Sequence, residues 1–248
     1  MSELVTNKIT PGTGSSDTVT LGDSGDTFSI PSGATIANSG TATGFLPAAG
    51  TSGNILTSDG TNWASAAAGG GLKLIQETSI TAVANIDMTG FDDSKYSGYK
   101  LMIENMRPAS DAYLYLRTSS DGGSSFNTNA GYPNGYAYSG KSFHQGSAAN
   151  DVSDNSSGSF FRMSVLNLRA DGHGVFNGTW DILGTPSTGR TSICGVTTIA
   201  PSVGGVHTQI IGGRLEALTL TNAIRLSMSS GNFQAQGVVR LFGYTTTV

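Results

Sequence analysis

The chain has 248 residues, and only 12% of them are charged, whereas soluble domains average about 25%. Its 35 glycines predict many turns, while 37% hydrophobic residues are enough for a core and exclude a wholly disordered chain. The net charge of -4 is spread without a lysine or arginine cluster, which argues against nucleic acid as a partner, and no apolar run reaches the roughly 18 residues that membrane insertion requires.

Residues 1–45 alternate short β-like fragments with turn signals, as in "DTVTLGDSGDTFSIPSGATIANSG". Apolar residues such as Phe28, Ile30 and Ile36 are evenly spaced within these fragments. Fragments this short cannot bury their apolar side chains within one chain, and in repeat architectures neighbouring copies supply the missing face. We therefore predict that residues 1–45 form a thin, β-rich stalk in a homotrimer.

Residues 46–71 include the stretch "GTSGNILTSDGTNWASAAAGGG". Ile55, Leu56 and Trp63 lie on either side of a Ser-Asp-Gly-Thr turn and need apolar cover that one copy lacks. The glycines at the end precede a strand and lack the Gly-Lys-Ser/Thr sequence of a phosphate-binding loop. The pattern predicts a β-hairpin joint that packs in the trimer, followed by a glycine-rich hinge.

Residues 72–248 are predicted to form an antiparallel, jelly-roll-like β-sandwich. Nine short segments rich in β-branched or aromatic residues are bounded by Gly, Asp, Asn or Pro, and none shows a convincing helical period. The predicted strands span residues 72–80, 99–106, 112–118, 159–168, 174–183, 191–199, 206–215, 223–230 and 237–244. We expect an all-β protein in which this sandwich follows the stalk.

The string "SSDGGSSF", residues 119–126, resembles an Asp box, a hairpin found in sialidases and many other β-proteins. In that motif the aspartate accepts backbone hydrogen bonds inside the turn and the aromatic residue packs beneath it. Asp121, Gly123 and Phe126 are therefore predicted to stabilise a turn rather than to act on a ligand.

The segment from Asn127 to Gly158 is the strongest candidate for ligand binding. It places aromatic rings among amides and carboxylates, a combination that suits saccharides because rings contact sugar C–H groups and polar atoms bind hydroxyls. The candidate glycan-binding residues are Tyr132, Tyr136, Tyr138, Phe143, His144, Asp151 and Asp154. The alternative is an additional hairpin in which Tyr136 and Tyr138 face the core.

No catalytic constellation is recognisable in the sequence. His144, His173 and His207 are scattered and lie outside known motifs, and acidic loops lack calcium-binding spacing. The single cysteine, Cys194, excludes an intrachain disulfide. We expect neither an enzyme nor a bound metal or cofactor.

The stretch "GTSGNILTSDGTNWASA" is similar to a sequence that recurs in bacteriophage fibre and collar-like virion proteins, through Gly50, Thr51, Gly53, Leu56, Thr57, Ser58, Gly60, Thr61 and Trp63. The segment "AIRLSMSSGNFQAQGVVRLFGY" resembles the closing hairpin of β-sandwich domains in phage structural proteins.

This resemblance implies a non-enzymatic structural protein of the virion, assembled in the host cytoplasm and exposed on the particle surface. The leading hypothesis is a trimeric tail fibre that contacts other virion proteins through its N-terminal segment and binds host-surface polysaccharide through its C-terminal domain. The alternatives are a capsid decoration or head-fibre protein without receptor binding, and a glycan-degrading tailspike.

Overall fold

The structure is a computed structural model that describes residues 54–58, 63–67, 71–144, 151–171, 175–185, 189–200 and 205–245. The chain divides into two compact units, Met1–Ala66 and Ala67–Val248. Phe28, Ile30 and Ile36, and with them the predicted stalk, lie outside the described residues.

A two-stranded sheet is formed by β1 (Asn54–Ser58) and β2 (Trp63–Ala67), and the connection between these strands lies outside the described residues. Ile55 and Leu56 are 49% and 44% exposed. Because adjacent residues of a strand project to opposite sides, each face of this small sheet carries an exposed apolar side chain.

The described part of the second unit is all-β, as predicted, and contains no helix. Its strands in chain order are β3 (Leu72–Ser79), β4 (Asn85–Met88), β5 (Tyr96–Met106), β6 (Leu114–Ser119), β7 (Tyr136–His144), β8 (Asp151–Gly158), β9 (Phe161–Arg162), β10 (Phe176–Leu183), β11 (Ser192–Ile199), β12 (His207–Leu215), β13 (Ala223–Met228) and β14 (Val238–Thr245).

These strands form two antiparallel sheets in a sandwich-like arrangement. The eight-stranded sheet has the order β3-β14-β5-β10-β11-β12-β7-β8, and the four-stranded sheet has the order β4-β13-β6-β9. Side chains alternate between the core and the outer face along most strands, as the burial of Leu114 and Leu116 on either side of half-buried Tyr115 illustrates. This alternation gives each sheet one core face and one outer face.

The two sheets share one hydrophobic core. Trp180 of β10 is fully buried, and its ring meets that of Phe161 of β9 edge to face, with centroids 5.9 Å apart and an interplanar angle of 88°. Leu101 and Leu241 contribute to the core from the eight-stranded sheet, and Leu226 contributes from the four-stranded sheet.

Two sequence interpretations are corrected by the topology. The segment that resembles a closing hairpin forms β13 and β14, but these strands belong to different sheets, so the chain crosses the sandwich between them. The predicted strand at residues 159–168 is reduced to Phe161–Arg162, because the chain turns away after two residues to bridge Leu168 to Ala112.

Candidate functional site

An open cleft of about 730 Å³ lies on the outer side of the eight-stranded sheet, where β7, β8, β11 and β12 run side by side. Small or polar residues form most of its lining. The lining residues are Ala137, Tyr138, Ser139, Asn155, Ser192, Gly212, Gly213, Arg214 and Glu216.

Two adjacent glycines of β12 create the depression. Gly212 lies on the outer face between Ile210 and Arg214, so the sheet surface drops where this strand has no side chain. Gly213 lies against β7, because a Cβ atom there would be 2.2 Å from the carbonyl oxygen of Ala137. The cleft therefore depends on one glycine for its space and on the other for the close approach of two strands.

One end of the cleft is formed by a buried carboxylate between two arginines. Glu216 is 5% exposed, and its Oε1 accepts a 2.9 Å hydrogen bond from Arg214 Nε. Arg190 Nε donates to the Glu216 carbonyl at 3.0 Å and lies 3.3 Å from Oε2 in an ion pair. Two guanidinium groups thus share one carboxylate, which leaves a net positive charge and holds the half-exposed Arg214 beside the cleft.

Tyr138 and Asn155 form the opposite side of the cleft. Tyr138 is 7% exposed and packs edge to face against Phe161 in the core. Burial raises the pKa of its hydroxyl, and hydrogen bonding to Asn155 opposes that rise. The Tyr138 side chain faces the core, so the hydroxyls that the cleft offers are those of Ser139 and Ser192. With the Asn155 amide and the Arg214 guanidinium they are groups of the kind that bind sugar hydroxyls.

The predicted aromatic cluster does not form one site. Tyr136 is fully buried, and its hydroxyl hydrogen-bonds Thr118 through the backbone N at 2.8 Å and Oγ1 at 2.9 Å. Tyr136 and Tyr138 face the core, so the hairpin alternative is correct and neither can offer an exposed ring face to a sugar. Tyr132 is 74% exposed before β7, and Phe143 is 43% exposed near the other end of that strand.

The remaining predicted binding residues are dispersed along the same hairpin. His144 stacks on His207 with ring centroids 4.4 Å apart. His207 Nδ1 lies within hydrogen-bonding distance, 2.9 Å, of the hydroxyl oxygen of buried Ser142. Asp151 and Asp154 lie in β8 opposite Ser142 and Ser139, and their side chains lie outside the described part of the structure.

The Asp-box turn has the contacts expected for a structural element. Asp121 Oδ1 accepts hydrogen bonds from the Ser125 backbone N at 2.9 Å and from Ser119 Oγ at 2.7 Å. These contacts with Ser125 and Ser119 hold the pKa of Asp121 well below its usual range. Gly123 has a φ of 92°, and its missing Cβ would lie 3.6 Å from the Phe126 ring, so the aromatic side chain packs directly against the turn.

Sequence reasoning missed Arg190, Asn155, Arg214 and Glu216, because the fold brings them together from three separate segments. One local signal was available in "GGRLE", residues 212–216, where adjacent glycines interrupt a strand pattern and precede two opposite charges. The other cleft residues have no distinguishing sequence context.

Comparison with protein-family models, curated proteins and solved structures gives no significant match. Within the described ranges, no helix has the length and apolarity needed to cross a membrane. The same part of the chain contains no group of three or more His, Cys, Asp or Glu residues placed to hold a metal ion.

Proposed function

We propose that the protein is a structural component of a bacteriophage virion, a trimeric tail fibre that binds host-surface polysaccharide. In this proposal residues 1–45 attach to other virion proteins as a trimeric stalk, and a jelly-roll-like sandwich forms the knob. The observation that carries the binding role is the cleft, which offers Arg214, Asn155 and backbone-lined space to a polar ligand.

The exposed residues of the two-stranded sheet support the trimeric part of the proposal. A two-stranded ribbon cannot bury apolar side chains on both of its faces, and Ile55 and Leu56 are exposed on opposite faces. Association of three copies would give both side chains the apolar cover that one chain lacks, and the Trp63 side chain, which the sequence adds to this set, lies outside the described part of the structure. Association would also present three weak glycan sites to one surface, which raises avidity.

Binding is tested with purified full chain and an array of bacterial surface polysaccharides. We expect at least one polysaccharide to bind, and Arg214→Gln to weaken that binding about tenfold, the loss expected for one charge-assisted hydrogen bond. We expect Asn155→Ala to weaken it by less, because the amide is neutral. Arg240→Gln is the matched control, because Arg240 pairs with Glu77 and Glu104 away from the cleft.

Binding that is unchanged in both cleft variants would place the site elsewhere. No binding to any polysaccharide, together with attachment to phage particles, would favour the decoration or head-fibre alternative. Release of reducing sugar would favour the tailspike alternative.

Trimer formation is tested by sedimentation equilibrium of the full chain. We expect the mass of three chains, and partial or complete dissociation for Ile55→Asp, because a carboxylate in an apolar contact is strongly unfavourable. A single-chain mass for the unchanged protein would contradict the trimer.

A further inference from the structure

The outer face of the four-stranded sheet carries a cluster of arginines stacked on aromatic rings. We call it the arginine–aromatic face, and it consists of Asp87, Tyr115, Arg117, Phe126, Phe160 and Arg225. We propose that this face is a second binding surface, which takes carboxylate groups of an acidic polysaccharide. This surface would bind such groups whether or not the cleft binds a glycan.

Strand register places two arginines directly opposite each other on this face. Arg225 of β13 pairs with Asp87 of β4 on one side and with Arg117 of β6 on the other. Like charges at directly opposed positions destabilise a sheet unless other groups compensate. This position therefore needs negative charge.

Asp87 compensates only one of the two arginines. It forms a bidentate pair with Arg225, with both N–O distances at 2.7 Å. In the described part of the chain, no carboxylate lies within ion-pair distance of Arg117, whose Nε donates only to the Ser159 carbonyl at 3.2 Å. The planar guanidinium of Arg117 is thus held in place while its charge stays uncompensated, which suits bidentate binding of a carboxylate.

Aromatic rings flank both arginines. Tyr115 and Phe160 stack with their centroids 3.7 Å apart and an interplanar angle of 14°, and Arg117 lies beside the Phe160 ring. Arg225 lies 4.0 Å above the Phe126 ring. Half-buried ring surface next to a guanidinium matches a sugar acid, whose C–H face packs on rings while its carboxylate pairs with arginine.

The charge balance of the face favours an anion over a neutral sugar. Of the opposed pair Arg117 and Arg225, only Arg225 has a carboxylate partner within ion-pair distance among the described residues, that of Asp87. The pair therefore leaves one uncompensated positive charge on this face, although the whole chain has a net charge of -4. This positive charge attracts a polyanion at low ionic strength, and salt weakens that attraction.

The test uses the purified full chain and three polymers in isothermal titration calorimetry at about 50 mM salt, where the Debye length exceeds 10 Å. The polymers are polygalacturonate, which carries carboxylates, dextran sulfate, which carries sulfates, and neutral dextran. We expect polygalacturonate to bind and dextran not to bind. We also expect Arg117→Gln to weaken polygalacturonate binding about tenfold, the loss of roughly one charge-assisted hydrogen bond.

Three further variants separate the possible causes of a change in polygalacturonate binding. Arg117→Lys keeps the charge but loses the planar fork, so we expect it to bind less well than the unchanged protein and better than Arg117→Gln. Arg240→Gln removes an arginine from the other sheet and is expected to bind normally. Phe160→Leu removes a ring without changing charge and is expected to weaken binding, and thermal unfolding establishes that each variant is folded.

The inference is overturned if folded Arg117→Gln binds polygalacturonate like the unchanged protein, or if only dextran sulfate binds. Loss of polygalacturonate binding in Arg214→Gln but not in Arg117→Gln would assign the binding to the cleft. That result would overturn the second surface and leave the proposed function intact. If Arg117→Gln weakens polygalacturonate binding but the protein binds no bacterial polysaccharide, the second surface stands and the proposed host-binding function is overturned.

Discussion

The outer faces of the two sheets differ sharply, although their inner faces build the same core. On the eight-stranded sheet, Val196 and Ile210 lie opposite each other and are 48% and 53% exposed, beside a cleft with a glycine floor. On the four-stranded sheet, the corresponding outward positions carry arginines, among them Arg117 and Arg225, that lie against aromatic rings.

This difference shows that the core constrains the residue type at inward positions, whereas outward positions can carry different residues on each sheet. Inward residues must fill a common space, so both sheets use large apolar side chains there. Outward residues meet no such requirement. On one face they combine exposed apolar side chains with paired charges such as Arg240 and Glu77, and on the other they place arginines against aromatic rings. Four changes test how far the two faces are independent.

The largest effect is expected for Trp180→Ala, which removes the buried ring that joins the two sheets through Phe161. Large aromatic-to-alanine changes in cores cost about 3–5 kcal/mol. Because both faces rest on this core, we expect one cooperative transition in chemical denaturation, shifted strongly to lower denaturant. Two separate transitions would show that the sheets fold independently, and Trp180→Phe should shift the midpoint less.

Neighbouring isoleucines of β12 test the opposite sides of the eight-stranded sheet. Ile211 is 2% exposed and Ile210 is 53% exposed. We expect Ile211→Ala to lower the free energy of unfolding by about 2–5 kcal/mol and Ile210→Ala to change it by less than about 0.5 kcal/mol. Equal effects in chemical denaturation would mean that the outer face is covered in solution.

A smaller effect is expected for Asp87→Asn on the four-stranded sheet. The change removes the ion pair with Arg225 and leaves two opposed arginines, but both partners of the pair are partly exposed, so we expect a loss of about 1 kcal/mol or less. Arg117→Gln in the same background should recover part of it. A double-mutant cycle from chemical denaturation measures this coupling, and a coupling energy of zero would contradict the repulsion.

The smallest effect on stability is expected when acid protonates Asp121 in the Asp-box turn beside Phe126. Hydrogen bonds from Ser125 and then Ser119 lower the pKa of Asp121 in the folded state, so its stabilising contribution is present above the unfolded-state pKa of about 3.9. The contribution is lost as the pH falls through the lower folded-state pKa.

The stability difference between the unchanged protein and Asp121→Asn should therefore shrink as the pH falls from about 6 to about 3. Thermal unfolding at both pH values measures it. A difference that stays constant over this range would show that the carboxylate charge does not matter to the turn.

The sequence predicted the all-β class and most strands because β-branched and aromatic runs alternate with turn residues. It left the β7–β8 hairpin undecided, since Tyr136 and Tyr138 alternate among glycine, serine and asparagine, a composition shared by loops and strands. The cleft could not be predicted, because Asn155 comes near Arg214 and Glu216 only through the register of β7, β8 and β12.

The position of β14 between β3 and β5 has a consequence for the order of folding. The ion pair between Glu77 and Arg240 joins residues 163 positions apart, so β3 has no partner until that distant part of the chain arrives. Contacts of such sequence separation slow folding, and they leave β3, with its exposed Leu72 and Leu74, unpaired in the meantime. The protein is therefore most prone to aggregate before β14 inserts, and changes that reduce the apolarity of β3 should raise the yield of refolding.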